Sequence, residues 1–249
     1  MTLRFRIFLL FFSFLFLQAC KTSYQAKSMQ YFDYRITNKA DKDSTLQSLL
    51  QPYSDSVNAT MNGVIGYAEK SLDKDQPECR LGNFLADLFL QMAEKSYNTK
   101  VDVAVMNYGG MRLTQVPAGE ITTGKIYELM PFDNLLILQK VKGNILKQFL
   151  DLTAEKGGWP VSGLTMQIRD KKAINIMIGG VPLEDDKYYT VVNSDFLANG
   201  GDNAFMLKDI PQITNGYLMR DAIMDYIKSE NQKGHAISAE LQNRVSYAQ

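Results

Sequence analysis

Two short segments of this 249-residue chain set a pair of adjacent glycines among side chains that can grip a polar ligand. One is Asn107-Tyr108-Gly109-Gly110-Met111-Arg112, the other Asn199-Gly200-Gly201-Asp202. Glycine reaches backbone torsions closed to other residues and lets a ligand approach the main chain. Around it, an amide both donates and accepts, a carboxylate accepts, and a guanidinium presents a planar fork of donors. Gly and Asn are equally the default residues of tight turns, so the residue types leave a binding loop and a plain turn both open.

Aromatic placement adds a second signal. Phe84, Phe89 and Phe149 sit at helical spacing from other apolar residues, where core packing accounts for them. Phe132 lies instead between Pro131 and Asp133, and Phe196 lies just before the second Gly-Gly segment. A ring in a polar loop can stack on a planar base, a contact worth about 1–3 kcal/mol. Phenylalanine is also among the most often buried residues, so each ring on its own reads as well as a loop anchor tucked into the core.

Regular elements must hold these segments in place. Val101 to Met106 reads as a strand running straight into Asn107, and Tyr188 to Asn193 as a strand running into the segment from Asp195 to Asp202. Ligands commonly settle at the carboxyl ends of strands, so two such loops can share one pocket. Further strands are expected at Met29 to Ile36, Val64 to Ala68, Asn134 to Val141, Leu164 to Ile168 and Ile174 to Ile178. The clearest helix is marked by Leu81, Phe84, Leu85, Leu88, Phe89 and Met92, one apolar stripe. Ile145, Leu146, Phe149 and Leu150 mark a helix that stops at Gly157-Gly158, and Leu218, Ala222, Ile223, Tyr226 and Ile227 mark a last one. Thr122 or Thr123 is expected to cap a short helix ending before Pro131. Ser44 is expected to cap a helix bearing Leu46, Leu49, Leu50, Tyr53 and Val57, kinked at Pro52. Helices and strands alternate without repeats, which predicts a single mixed-sheet domain, α/β to α+β.

Composition bounds the function. Lys+Arg and Asp+Glu balance at 27 each, and 45% of residues are hydrophobic, the profile of a soluble globular protein. Nucleic-acid phosphates demand a clustered basic face, so no nucleic-acid partner is expected. One histidine, His235, and two cysteines, Cys20 and Cys79, exclude a zinc ribbon, a disulfide framework and an imidazole-built metal centre. No metal site and no cofactor is therefore expected in this chain.

The first residues read as an export signal. Arg4 and Arg6 precede an apolar run from Ile7 to Leu17, then Gln18, Ala19 and Cys20. The run is too short to span a bilayer as a helix. Ending on Cys, it is similar to the lipobox of bacterial lipoproteins, in which the cysteine is acylated and becomes the new N-terminus. Residues 1–19 are then a lipoprotein signal peptide, Cys20 the lipidation site, 20–28 a polar tether and 29–249 the folded domain. An ordinary cleaved signal before an incidental cysteine is the alternative. Cys79 is expected to be a small buried apolar residue.

Five motifs occur in order: Glu78-Cys79-Arg80-Leu81-Gly82-Asn83, Asn107 to Arg112, Met130-Pro131-Phe132-Asp133-Asn134, Val161-Ser162-Gly163-Leu164 and Phe196 to Asp202. Together they resemble the C-terminal, substrate-specificity domain of the 5′-nucleotidase family, over about residues 30–230. The resemblance implies that Phe132 and Phe196 sandwich a nucleobase, Asn107 contacts its edge, Asp202 binds the ribose hydroxyls and Arg112 binds phosphate. Asn199, Gly109, Gly110, Gly200 and Gly201 complete the implied substrate-binding set. One departure concerns phosphate: family members often carry another Arg shortly before the Leu-Gly-Asn triplet, where this chain has Lys74-Asp75-Gln76-Pro77. Arg80 can replace it only if it points inward.

In that family hydrolysis belongs to an N-terminal metallophosphoesterase domain, whose two-metal site uses several His, Asp and Asn residues. This sequence has no Asp-x-His or Gly-Asn-His segment, and His235 follows Gly234 in a polar stretch that suits a solvated side chain. The polypeptide is expected to carry no catalytic residue and to be inactive alone, with divalent metals on a separate metallophosphoesterase subunit. Two functions remain in view. One is the nucleotide-recognition half of a split 5′-nucleotidase; the other is a non-catalytic nucleoside- or nucleotide-binding lipoprotein, anchored to a membrane and facing the periplasm or cell surface.

Overall fold

Successive residues of a strand point to opposite faces, and a strand apolar on both faces must be covered on both. That is the position of the central strands of this chain. The computed structural model describes residues 26–33, 35, 37 and 41–248. The chain divides into two compact units, Met1–Ser48 and Leu49–Gln249. The proposed signal and Cys20 lie outside the described residues.

In chain order the elements are α1 (Ser44–Met61), β1 (Val64–Ala68), β2 (Leu72–Asp73), α2 (Arg80–Tyr97), β3 (Val103–Val105), β4 (Gln115–Val116), β5 (Gly119–Thr122), α3 (Thr123–Leu129), β6 (Leu136–Lys142), α4 (Gly143–Glu155), β7 (Val161–Ser162), β8 (Leu164–Arg169), β9 (Lys172–Ile178), β10 (Val181–Pro182), β11 (Tyr188–Ser194), α5 (Asp195–Ala198), β12 (Gln212–Ile213), α6 (Met219–Gln232) and β13 (Val245–Tyr247). The fold is thus the mixed α/β type that the pattern predicts, with two departures near its start. The expected strand at Met29 to Ile36 is absent from its described residues, where Met29, Tyr31 and Phe32 are exposed. A lone strand has no stability without a pairing partner. The cap of α1 is Asp43 rather than Ser44: its Oδ1 accepts from the amides of Thr45 (2.9 Å) and Leu46 (3.0 Å). The helix runs on through Pro52, and none of its residues is buried.

The main sheet has the order β12-β6-β11-β3-β7, and a second sheet the order β10-β9-β8-β13. In the main sheet Ala104, Leu138 and Val192 face one core cluster, built with Leu81, Leu85 and Phe89 of α2 and Ile223 and Ile227 of α6. Their neighbours Val105, Val141 and Val191 face the other, built with Leu146, Phe149 and Leu150 of α4 and Met166 and Ile168 of the second sheet. Gln139, fully buried on β6, is satisfied by donating to the carbonyls of Leu207 (3.0 Å) and Ile210 (2.9 Å).

Topology gathers the loops that matter. β11 pairs parallel with β3, Val192 opposite Ala104, so both strands end at the same edge. β6 runs antiparallel to β11 with Leu136 opposite Ser194, so its start lies at that edge too. The segments after β3, after β11 and before β6 therefore converge. Those are the segments of Asn107 to Arg112, Phe196 to Asp202 and Met130 to Asn134.

Two of the five motifs do structural work instead. Cys79 Sγ accepts from the Gly82 amide at 3.3 Å and caps α2. A Cβ on Gly82 would lie 2.9 Å from that sulfur and 2.8 Å from Pro160 Cγ, so only glycine fits between them. Asn83 Nδ2 donates to Glu78 Oε1 (2.7 Å) and the Glu240 carbonyl (2.8 Å), tying α2 to the C-terminal segment. Ser162 Oγ donates to Asp87 at 2.6 Å, and Gly163 turns at φ +78° over the Asp102 carbonyl.

Candidate functional site

At the converged edge lies an open cavity of about 220 Å³. Phe132 and Phe196 both line it and are 45% and 43% exposed, which a core anchor would not be. Asn107, Gly109, Gly110, Arg112 and Asp202 line it as well. The structure thus brings seven of the ten sequence-derived binding residues to one cavity. Asn199, Gly200 and Gly201 lie outside it, along a second open groove on which both phenylalanine rings also border. Asn199 is engaged there, its Oδ1 accepting from Gln212 Nε2 at 2.9 Å.

Local conformation explains the glycines. Asn107 opens a short 3-10 turn, and its Nδ2 crosses to donate to Asp202 Oδ2 at 2.6 Å, joining the two Gly-Gly loops. A Cβ on Gly110 would sit 2.9 Å from Asn107 Oδ1 and obstruct that reach. In the other loop Gly200 (φ +90°) and Asp202 (φ +51°) are left-handed. Asp202 adopts this torsion as one of the few residue types that tolerate it. A Cβ on Gly201 would lie 2.5 Å from ring carbons of Phe196, so that ring rests against the bare Gly201 main chain.

The spacing of the two phenylalanine loops is also fixed. Asp195 Oδ1 accepts from the amides of Leu135 (3.0 Å) and Phe196 (2.8 Å), and the Asp195 amide donates to the Leu135 carbonyl (3.1 Å). One carboxylate therefore staples the segment carrying Phe132 to the one carrying Phe196. Sequence reasoning missed Asn134, Ser194 and three methionines that also line the cavity, Met106, Met130 and Met219. Asn134 stood two residues from Phe132 and was legible by proximity; Met219 arrives on α6 and carried no local signal.

Arg112 supplies the positive charge on the cavity wall. The Arg112 guanidinium stands 5.6 Å from the Phe132 ring centroid, and its Nη1 lies 3.5 Å from the Gly109 carbonyl. Behind it, Lys74 Nζ donates to the Met111 carbonyl (2.7 Å) and sits 4.1 Å over the Tyr108 ring. Burial and the nearby Arg112 charge hold the Lys74 ammonium below the usual lysine range. Arg80 does not point inward; it lies 3.6 Å from Glu240 and is no part of the cavity. His235 is exposed and paired with Glu230 at 3.1 Å. Among the described residues no group of three or more His, Cys, Asp or Glu could hold a metal ion, so these residues do not fit a dinuclear centre.

An open cleft lined by two half-exposed aromatic rings, an amide–carboxylate pair and a guanidinium has the character of a small-molecule binding site. Comparison with known proteins gives the class its family. The family described as 5′-nucleotidase, C-terminal domain, matches residues 59–209, and the chain belongs to that family. It is 28% identical over 206 residues to a 5′-nucleotidase of Vibrio cholerae, covering 78% of this chain and 36% of that protein. It is 27% identical over 202 residues to protein UshA of Yersinia enterocolitica, again covering 78% and 36%. Among solved structures, a 5′-nucleotidase precursor from Thermus thermophilus superposes with a TM-score of 0.71 at 29% identity, covering 84% of this chain and 44% of that one. The chain thus spans little more than a third of the length of the curated relatives named here.

Proposed function

We propose that this chain is the nucleotide-recognition half of a split 5′-nucleotidase, presenting nucleoside 5′-phosphates to a separate metallophosphoesterase chain that holds the divalent metals. The observation that carries the reading is the pair of half-exposed rings, Phe132 and Phe196, on a cavity whose wall bears Arg112 and the Asn107–Asp202 pair. The base enters between the rings. Asn107 turns its amide to the base edge, Asp202 accepts from the ribose hydroxyls and Arg112 meets the phosphate. Without ligand, Asn107 and Asp202 satisfy each other; a nucleotide exchanges that bond for bonds of its own. The Vibrio cholerae relative carries the name 5′-nucleotidase, and the stretch it shares with this chain is 36% of its length, which supports reading this domain as one that works beside a catalytic one. The same proposal places the protein outside the cytoplasm, anchored through an acylated Cys20.

Calorimetric titration with adenosine and AMP, alongside thermal melts, tests the reading. Phe132→Ala and Phe196→Ala should each weaken adenosine by about 5- to 150-fold with little change in melting temperature. Arg112→Ala should weaken AMP far more than adenosine. Two phenylalanine variants that bind adenosine like wild type but melt far lower would mark the rings as core anchors and overturn the reading.

A further inference from the structure

Residues 131–133, which carry Phe132, belong to no helix or strand. Among the described residues, the hydrogen bonds that reach Pro131, Phe132 and Asp133 all come from one side chain, Arg220 of α6. Its Nη1 donates to the carbonyls of Pro131 and Phe132 (3.2 Å each), and its Nη2 to Asp133 Oδ1 at 2.5 Å. The guanidinium lies 4.3 Å from the Tyr127 ring centroid, and Arg220 is 7% exposed. The residue before it cooperates: the Met219 amide donates to the Asn134 carbonyl at 2.9 Å. The first turn of α6 thus holds the loop at successive points.

Core packing does not explain this arrangement. A buried guanidinium is expensive to desolvate, and an apolar side chain of similar volume would stabilise the fold as well or better. What the fork supplies, and a hydrocarbon cannot, is a fixed path for main-chain carbonyls that have no sheet or helix to define them. The Asp133 carboxylate, 77% exposed, completes the fork from the solvent side.

We propose that Arg220 is a positioning residue for the nucleobase clamp, setting the main-chain path of Pro131–Asp133 and so the orientation in which the Phe132 ring meets a ligand. The proposal rests on the reading of Phe132 as a stacking surface. It assigns to the first turn of α6, which also brings Met219 to the cavity, control over how tightly the base is held.

The test uses the full chain and three variants: Arg220→Met, which keeps bulk without donors, Arg220→Lys, which keeps charge without the fork, and Asp133→Ala, which changes an exposed side chain and keeps Arg220 itself. Each is made alone and with Phe132→Ala, and titrated with adenosine. Arg220→Met should weaken adenosine by about 3- to 30-fold, up to what loss of one stacking face allows. Arg220→Lys and Asp133→Ala should fall between it and wild type. In the Phe132→Ala background the same changes should alter affinity less than about 2-fold, because a residue acting through Phe132 has nothing left to position. Equal weakening in both backgrounds, or wild-type affinity in Arg220→Met and Asp133→Ala alike, overturns the proposal. Fluorine NMR of chain labelled with 4-fluorophenylalanine reads the loop without ligand, the Phe132 signal being the one that Phe132→Ala removes. It should shift in Arg220→Met and Asp133→Ala and move back toward its wild-type position in Arg220→Lys; an unmoved signal overturns the proposal. If the signal moves while Phe132→Ala itself binds adenosine like wild type, the positioning stands and the clamp reading fails.

Discussion

Gly201 is small because Phe196 occupies the space its side chain would take. A methyl there would stand 2.5 Å from the ring, and since Gly201 is not among the positive-φ glycines, the clash and not the torsion governs its replacement. Gly201→Ala should therefore displace the ring and weaken adenosine by about 3- to 30-fold while costing at most about 2 kcal/mol of stability, read by calorimetry and thermal melts. Cys79 behaves oppositely, as a residue with no ligand to meet. It is 4% exposed and caps α2, and burial pushes its thiol above the ordinary range. Peptide mapping should find Cys79 unalkylated by iodoacetamide at neutral pH in the native protein and alkylated once it is unfolded. At this scale the sequence is legible where a residue breaks the pattern around it: Phe132 and Phe196 stand out because no helical or strand stripe accounts for them. Ser194, Met219 and Arg220 stand out nowhere, because their approach to the cavity or its loop is made by pairing and packing far along the chain.

Elements with a long apolar period are found from sequence, as α2, α4 and α6 show, although the stripes of α2 and α6 stop at Met92 and Ile227, short of their ends at Tyr97 and Gln232. β2, β4, β7 and β12, two residues each, hold no period to read. Amphipathic spacing also promises more than it delivers in α1, whose Leu46, Leu49, Leu50, Tyr53 and Val57 are all exposed. Leu50→Lys should accordingly change stability by no more than about 0.5 kcal/mol, in contrast to the same change at Leu85. The C-terminal segment is the reverse case, a polar stretch that closes the fold. Arg244, 8% exposed, donates to both Asp87 oxygens (2.7 Å each) and to the Val161 carbonyl (3.0 Å), beside β13 on the second sheet. Arg244→Ala should destabilise by about 1–3 kcal/mol in denaturant melts, because it removes the fork to Asp87 and the donor to the Val161 carbonyl, while Asp87 keeps its bond from Ser162 and its access to water. Before α6, burial and then the hydrogen bond to Asp225 (2.8 Å) push the Tyr217 phenol far above its ordinary value of 10.0. The folded value exceeds the unfolded one, so its contribution is complete below about pH 10 and is lost as pH rises beyond it. The melting-temperature gap between wild type and Tyr217→Phe should hold from pH 7 to 9 and change above pH 10.

At the scale of the whole molecule, the proposed function separates recognition from chemistry. Five ordered motifs name the family from sequence, and the structure divides them: three converge on the cavity, while the Cys79 and Ser162 motifs hold α2 against the C-terminal segment and the β7 strand. What the motifs do not disclose is how Asp195 and Arg220 hold the segments of Phe132 and Phe196, since apart from the Asp133 carboxylate both act through main-chain groups that any sequence would supply. On the proposed reading the cavity holds the phosphate ester and the metals come from a partner chain; among the described residues no group of three or more His, Cys, Asp or Glu could hold a metal ion. The full chain, assayed with manganese, zinc, cobalt or magnesium, should therefore release no phosphate from AMP while still binding it. Adding an exported metallophosphoesterase chain from the same source should produce AMP hydrolysis, and Phe132→Ala should slow that hydrolysis chiefly by raising KM, because stacking is made with substrate and transition state alike. Robust metal-dependent turnover by the chain alone, lost in Arg112→Ala with the fold intact, would show instead that the cavity does its own chemistry.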